Sequence, residues 1–271
     1  MVETDTHANK KNIIAIINQK GGVGKSTTAV NLAAALGEQG KNVLLVDLDP
    51  QGNATSGFGV EKVLGMKCVY DGMINNVPVG ELVIEGVAKN VDIIPATINL
   101  AGAEVELMNE YARERRFEEL MDPIAADYDF VLVDCPPSLG QLTINALTAA
   151  QRLIIPIQCE FYALEGLTKL LETEKVVKTR LNHELEIVGI VMTMYDQRTA
   201  LAIQVVDEVQ KVFGDKVFKT MIPRTVRLAE APSFGKSILE YNSKGKGAAA
   251  YRALAKEVID RVIEKEVIDR A

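Results

Sequence analysis

The chain is predicted to be a single α/β domain of three layers, a mostly parallel twisted sheet flanked by helices. Three observations predict it. Short apolar, β-branched runs alternate with helix-periodic stretches along most of the 271 residues, the pattern of parallel strands joined by crossover helices. A glycine-rich loop separates the first such run from the first helical stretch. Two later apolar runs end in aspartate, at the strand ends where ligands bind in sheets of this kind. With 48% hydrophobic and 25% charged residues, the chain can fill one large core, and no Pro/Ser-rich linker divides it.

Taken in order, residues 1–11 are polar and aperiodic and read as a flexible tail. Residues 12–17 (Asn-Ile-Ile-Ala-Ile-Ile) form a buried strand, and residues 26–36 carry Ala29, Leu32, Ala33 and Leu36 at helical spacing before Gly40 stops the helix. Further strands are predicted over 42–49, 91–95, 128–134, 152–158, 186–194 and 216–221. Helices are predicted over 100–121, 141–149, 164–181, 200–213 and 247–267. The domain proper spans 12–262. Residues 263–271 extend the last helix, where Glu257-Val258-Ile259-Asp260-Arg261 recurs as Glu266-Val267-Ile268-Asp269-Arg270. The tail lacks the apolar core of a signal peptide, and no stretch approaches about 20 apolar residues, so a cytoplasmic location is expected. Cys68, Cys135 and Cys159 lack metal-ligand spacing and read as reduced, buried thiols.

The chemistry is concentrated in Asn18-Gln19-Lys20-Gly21-Gly22-Val23-Gly24-Lys25-Ser26-Thr27-Thr28. A glycine loop between a buried strand and a helix start turns its backbone N–H groups toward phosphate, and the helix N-terminus adds positive potential. Gly21, Gly22, Val23, Gly24, Lys25, Ser26 and Thr27 are the candidate phosphate-binding residues, with Lys25 for the β/γ-phosphates and the Ser26 hydroxyl for Mg²⁺. The first glycine of the usual G-x-x-x-x-G-K-[ST] pattern is replaced by Gln19, and Lys20 stands beside Gly21. A lysine there is free to point outward, toward a nucleotide held by another subunit. This loop resembles the deviant Walker A motif of the ParA/MinD family of dimerising ATPases. The resemblance implies a P-loop NTPase fold and a first lysine that reaches the partner's phosphates across an ATP-bound homodimer.

Two more motifs extend the resemblance. Residues 43–53 (Val-Leu-Leu-Val-Asp-Leu-Asp-Pro-Gln-Gly-Asn) place Asp47 and Asp49 on one side of a strand as it exits. Carboxylates there can hold metal-bound waters or orient the attacking water. The run is similar to the ParA/Soj segment whose second aspartate supports hydrolysis, a role that falls to Asp49, with Asp47 supporting it. The segment from Phe130 to Pro137 is an apolar strand ending in Asp134, followed by Cys135-Pro136-Pro137, similar to the family's Walker B and switch segment. No Asn-Lys-x-Asp base-reading motif occurs, and Met194 and Pro223 follow late strands where the family holds adenine, which implies ATP.

Between residues 196 and 246 the chain carries nine Lys/Arg and six Asp/Glu, against a net charge of −7 overall. A local basic surface on an acidic protein suits sequence-independent phosphate contact. This region resembles ParA/Soj segments whose arginines bind double-stranded DNA nonspecifically. Arg198 and Arg227 are the first candidates, followed by Arg224, Lys211 and Lys219. The implied protein is a partitioning ATPase associated with the nucleoid and stimulated by a ParB-like partner. The alternatives are a MinD-like membrane ATPase and a metabolic or redox enzyme on the same scaffold. Residues 252–271 carry five basic and five acidic side chains and no aromatic, which argues against the basic amphipathic helix that membrane targeting needs.

Overall fold

The computed structural model describes residues 12–160 and 167–269, with side chains followed to Val262. Seven strands form one sheet: β1 (Ile13–Ile16), β2 (Val43–Asp47), β3 (Ile84–Ala88), β4 (Val91–Ile94), β5 (Phe130–Asp134), β6 (Arg152–Gln158) and β7 (Glu186–Thr193). Their spatial order is β3-β4-β2-β5-β1-β6-β7. All pairings are parallel except the β3–β4 edge. β1, β2 and β5 are buried at every position, as parallel strands covered on both faces must be.

The helices are α1 (Lys25–Glu38), α2 (Asn53–Gly57), α3 (Val69–Asn75), α4 (Leu100–Glu106), α5 (Arg116–Met121), α6 (Gln141–Ala149), α7 (Leu167–Arg180), α8 (Ala200–Phe213), α9 (Val226–Glu230), α10 (Ile238–Tyr241) and α11 (Lys246–Asp269). Successive strand residues serve opposite cores. Ile14 and Ile16 pack with α1 and with Tyr251, Leu254 and Val258 of α11. Ile13, Ala15 and Ile17 pack with residues of α3 to α8. The α1 layer lies close to the sheet, because a Cβ on Gly37 would stand 2.2 Å from the Lys89 carbonyl oxygen.

Two predictions need correction, and one strand lies outside them. The single helix over 100–121 is two short helices, α4 and α5, with a 3₁₀ turn at Leu107–Asn109 and the Ala112 backbone at φ 51° between them. The mostly polar run from Asn109 to Arg116 offers only Tyr111 and Ala112 as apolar side chains, and Tyr111 is exposed, so no helix face is there to bury. The strand over 216–221 is reduced to one bridge, Val217 to Ile190, preceded by a 3₁₀ turn at Gly214–Lys216. Residues 219–220 instead give their N–H groups to the Glu257 carboxylate of α11, each at 2.8 Å. The antiparallel edge strand β3 was not predicted. The tail at 1–11, the first three residues of the helix predicted from 164, and residues 270–271 lie outside the described residues. All three cysteines are buried and free.

Candidate phosphate-binding site

The site lies where the sheet order reverses around β1, at the carboxyl ends of β1, β2 and β5. The loop after β1 is fixed from beneath. Asn18 Nδ2 donates to the Pro156 carbonyl at 2.7 Å, and its Oδ1 accepts from the Lys20 N–H at 2.9 Å. Val23 is buried and its carbonyl accepts from the Thr193 hydroxyl of β7 at 2.8 Å. Gly22 and Gly24 take φ of 75° and 90°, values that side chains strain to adopt. A Cβ at Gly21 or Gly22 would meet nothing within 4 Å, so the loop faces open space.

That space is a cavity of about 420 Å³ whose lining includes Gly21, Gly22, Gly24, Lys25, Ser26, Thr27 and Asp49, together with Asn53, Ser56 and Lys236. A second cavity of about 410 Å³ shares Gly24, Thr27 and Met194 with the first. It continues between Thr193, Ile222, Pro223, Arg224, Leu228 and Tyr251. One holds the polar groups a polyphosphate needs and the other an apolar wall suited to a base. Met194 sits at the junction with φ 52°.

Lys25 opens α1, is 6% exposed, and donates from Nζ to the Lys20 carbonyl at 3.3 Å. Burial lowers its pKa, while Asp134 and Asp49 oppose that shift. Asp134 ends β5 in register with Ile16 and Asp47 on its two neighbours. Both of its carboxylate oxygens are buried and accept no hydrogen bond. The Ser26 hydroxyl lies near enough to favour the ionised carboxyl without closing a hydrogen bond of ordinary geometry. Burial first, then the neighbouring Asp47, holds the Asp134 pKa well above the usual carboxylate range. Asp47 is also fully buried and raised, to about 6, chiefly by burial. Of these two buried carboxylates, Asp47 is held by three donors, whereas Asp134, without a hydrogen-bond donor and beside a hydroxyl, fits a hydrated divalent cation. The open glycine loop and Lys25 fit its triphosphate.

A family model described as an AAA domain matches residues 11–187. The sporulation initiation inhibitor protein Soj of Bacillus subtilis is 56% identical over 246 residues, 91% of this chain and 97% of its own. The chain belongs to the ParA/Soj family of chromosome-partitioning ATPases. The chromosome partitioning protein ParA of Myxococcus xanthus is 50% identical over 249 residues, covering 92% of this chain and 88% of that protein. Among solved structures, cobyrinic acid a,c-diamide synthase from Mycobacterium smegmatis, with bound ADP and magnesium, superposes with a TM-score of 0.80 at 37% identity. The match covers 91% of this chain and 93% of that one.

In this ParA/Soj chain, Lys20 is half-buried and ion-paired with Glu160 at 3.3 Å. Asp49 is 6% exposed, and its Oδ1 accepts from the Gln51 N–H at 2.9 Å. The basic candidates Arg198, Arg224, Arg227, Lys211 and Lys219 are all exposed. Arg198 and Arg224 flank Asp196, whose pKa falls to about 2 through Arg198 hydrogen bonds first. Arg198 holds both Asp196 oxygens, at 2.9 and 2.7 Å. Arg227 pairs with Glu230 at 2.9 Å and reaches the Tyr241 hydroxyl at 3.5 Å. Lys211 is on α8 and Lys219 precedes the Ile222–Arg224 segment. Sequence reading missed Thr55, Glu160 and Lys236 as site residues. Among the described residues no helix is long and apolar enough to cross a membrane.

Proposed function

We propose that this ATPase binds ATP with Mg²⁺, forms a sandwich homodimer, and in that state binds double-stranded DNA without regard to sequence. Hydrolysis stimulated by a ParB-like partner then releases it. The observation that carries the reading is the pairing of two lysines in one loop. Lys25 is buried near Asp134 and Asp49, and the side chain of Lys20, five residues earlier, is half-buried and ion-paired with Glu160. The high identity to partition ATPases supports the same conclusion.

Lys25 and the N–H groups of residues 21–27 hold the triphosphate, with the base against Met194 and Pro223. The Ser26 hydroxyl and the Asp134 carboxylate would hold magnesium, which when bound would supply positive charge to offset that on the phosphate oxygens. Lys20 exchanges Glu160 for the phosphates of the second copy, where it offsets charge developing on the transferred γ-phosphoryl, as an arginine finger does. An exposed pair of this kind is worth about 0–1 kcal/mol, so the exchange costs little. Asp49 orients the attacking water. Completion of the site by a second chain makes the isolated protein a slow enzyme. Arg198, Arg224 and Arg227, with Lys211 and Lys219, contact DNA phosphates, and a protein with such contacts works in the cytoplasm on the nucleoid.

The test is binding to random-sequence duplex DNA with ATP, ADP or no nucleotide at two salt concentrations. Binding that requires ATP, ignores sequence and weakens with salt is the expected result. Absence of binding in every state refutes the DNA-binding reading.

A further inference from the structure

Asp47 ends β2 fully buried, and its carboxylate is held by a residue eight positions further along the chain. Oδ2 accepts from both the N–H and the hydroxyl of Thr55, each at 2.7 Å. Oδ1 accepts from the Asp49 N–H at 3.2 Å. The Thr55 hydroxyl in turn accepts from the Ala96 N–H at 2.9 Å, just past β4. Thr55 is itself wholly buried in α2. One threonine therefore ties together the exits of β2 and β4 and the helix that closes the Asp49 loop. The loop is further fixed by the Gly52 N–H on the Asp49 carbonyl at 2.8 Å.

We propose that Thr55 is a positioning residue for ATP hydrolysis: it fixes the Asp47 carboxylate, which fixes Asp49 through its backbone, so that the Asp49 side chain meets the attacking water in one orientation. The proposal rests on the ATPase reading above. Asp47 uses both oxygens as acceptors from three donors. In D47N the amide NH₂ faces either the Thr55 N–H or the Asp49 N–H, donor against donor, so a side chain of equal size cannot replace the carboxylate. T55V keeps the shape of Thr55 but removes the hydroxyl and orphans the Ala96 N–H. The grip on phosphate comes from residues 21–27, at a different strand–helix junction, so affinity and turnover separate. Loss of such a supporting partner typically costs about 10- to 100-fold in activity, and misplacement of a reacting group by about 1 Å costs a comparable factor.

The experiment measures two quantities with magnesium present in wild type, T55V, T55S and D47N. These are the dissociation constant of a fluorescent ATP analogue and the single-turnover rate of ATP hydrolysis with duplex DNA. T55V and D47N should hydrolyse about 10- to 100-fold more slowly while affinity stays within about threefold, and T55S should recover the rate to within about threefold of wild type. Hydrolysis at the wild-type rate by T55V and D47N overturns the proposal. Parallel loss of affinity and rate in both variants also overturns it, since that marks a merely structural role. If T55V does not fold, D47N and T55S decide on the same criteria. Wild-type protein that hydrolyses no ATP overturns the ATPase reading itself, which separates that failure from failure of the Thr55 brace.

Discussion

Asp47 makes the stability of the nucleotide-free protein fall as pH rises, and the size of the effect follows from its burial. Burial raises its pKa from 3.8 to about 6, opposed by the Thr55 hydrogen bonds. At about 1.4 kcal/mol per pKa unit, that shift amounts to about 3 kcal/mol, a large share of the roughly 5–15 kcal/mol that holds a typical domain folded. The folded state binds this proton more tightly than the unfolded chain does. The stabilisation is therefore complete below pH 3.8, declines as pH rises, and is lost above about 6. The perturbation is D47N, which removes the titration at nearly constant volume, and the assay is urea unfolding without nucleotide or magnesium. Between about pH 4 and about pH 7.5, wild type should lose about 3 kcal/mol relative to D47N. The hydrogen bonds that D47N sacrifices enter as an offset independent of pH. Asp134, facing Asp47 across the β2–β5 ladder, titrates with it as a pair. A gap between the two proteins that stays constant across this range, or drifts the other way, refutes the reasoning. Magnesium with a non-hydrolysable ATP analogue should flatten the wild-type curve, because a bound cation favours the ionised carboxylates.

The remaining predictions concern ligands and partners. Lys25→Ala removes a charged donor from the phosphates and should weaken ATP binding by about 10- to 100-fold, the equivalent of about 1.5–3 kcal/mol; calorimetric titration with ATP checks it. Lys20→Ala should keep ATP binding by the monomer and lose the ATP-dependent dimer, read by sedimentation; a dimer that persists removes the role of Lys20 across the interface. Asp49→Ala should accumulate an ATP-bound dimer that does not turn over, and normal turnover there would exclude Asp49 from orienting water. Arg227→Glu should lose DNA while keeping the ATP dimer, with the salt slope of any residual binding reduced by about one; undiminished DNA affinity excludes Arg227 from the interface.

The central fold and the candidate phosphate loop were legible because each is encoded locally. β1, the glycine loop and α1 are contiguous, and the loop's identity is set by glycines at positive φ beside Lys25 and Ser26. β2 and β5 announce themselves as apolar runs buried on both faces and ended by Asp47 and Asp134. The short helices α2, α3, α9 and α10 were not legible. At four to seven residues they have too few turns to show a period, and tertiary contacts form them. The Ser237 cap and the Ile238 N–H bonded to Asn31 of α1 at 2.6 Å hold α10 in place. The strand expected over 216–221 failed for the same reason in reverse. Its alternation was readable, but Glu257 and Arg261 of α11 satisfy the backbone groups a ladder would have used.

Thr55 shows most clearly where sequence reading stops. Nothing in Gly52-Asn53-Ala54-Thr55-Ser56 distinguishes it from an ordinary polar residue at the start of a short helix. Its importance arises only because the Pro50–Gly52 turn folds α2 back over the end of β2, bringing Thr55 within 2.7 Å of a carboxylate buried beyond the reach of water. A carboxylate so placed needs donors, and the two from Thr55 are part of what makes its burial tolerable. The same donors fix the direction of the chain at Asp49. Stability at Asp47 and orientation at Asp49 are thus two consequences of one set of hydrogen bonds. A substitution at Thr55 should therefore disturb both the pH dependence of unfolding and the rate of hydrolysis. A substitution at Asp49, whose charge is the smallest of the contributions to the Asp47 pKa, should disturb chiefly the rate.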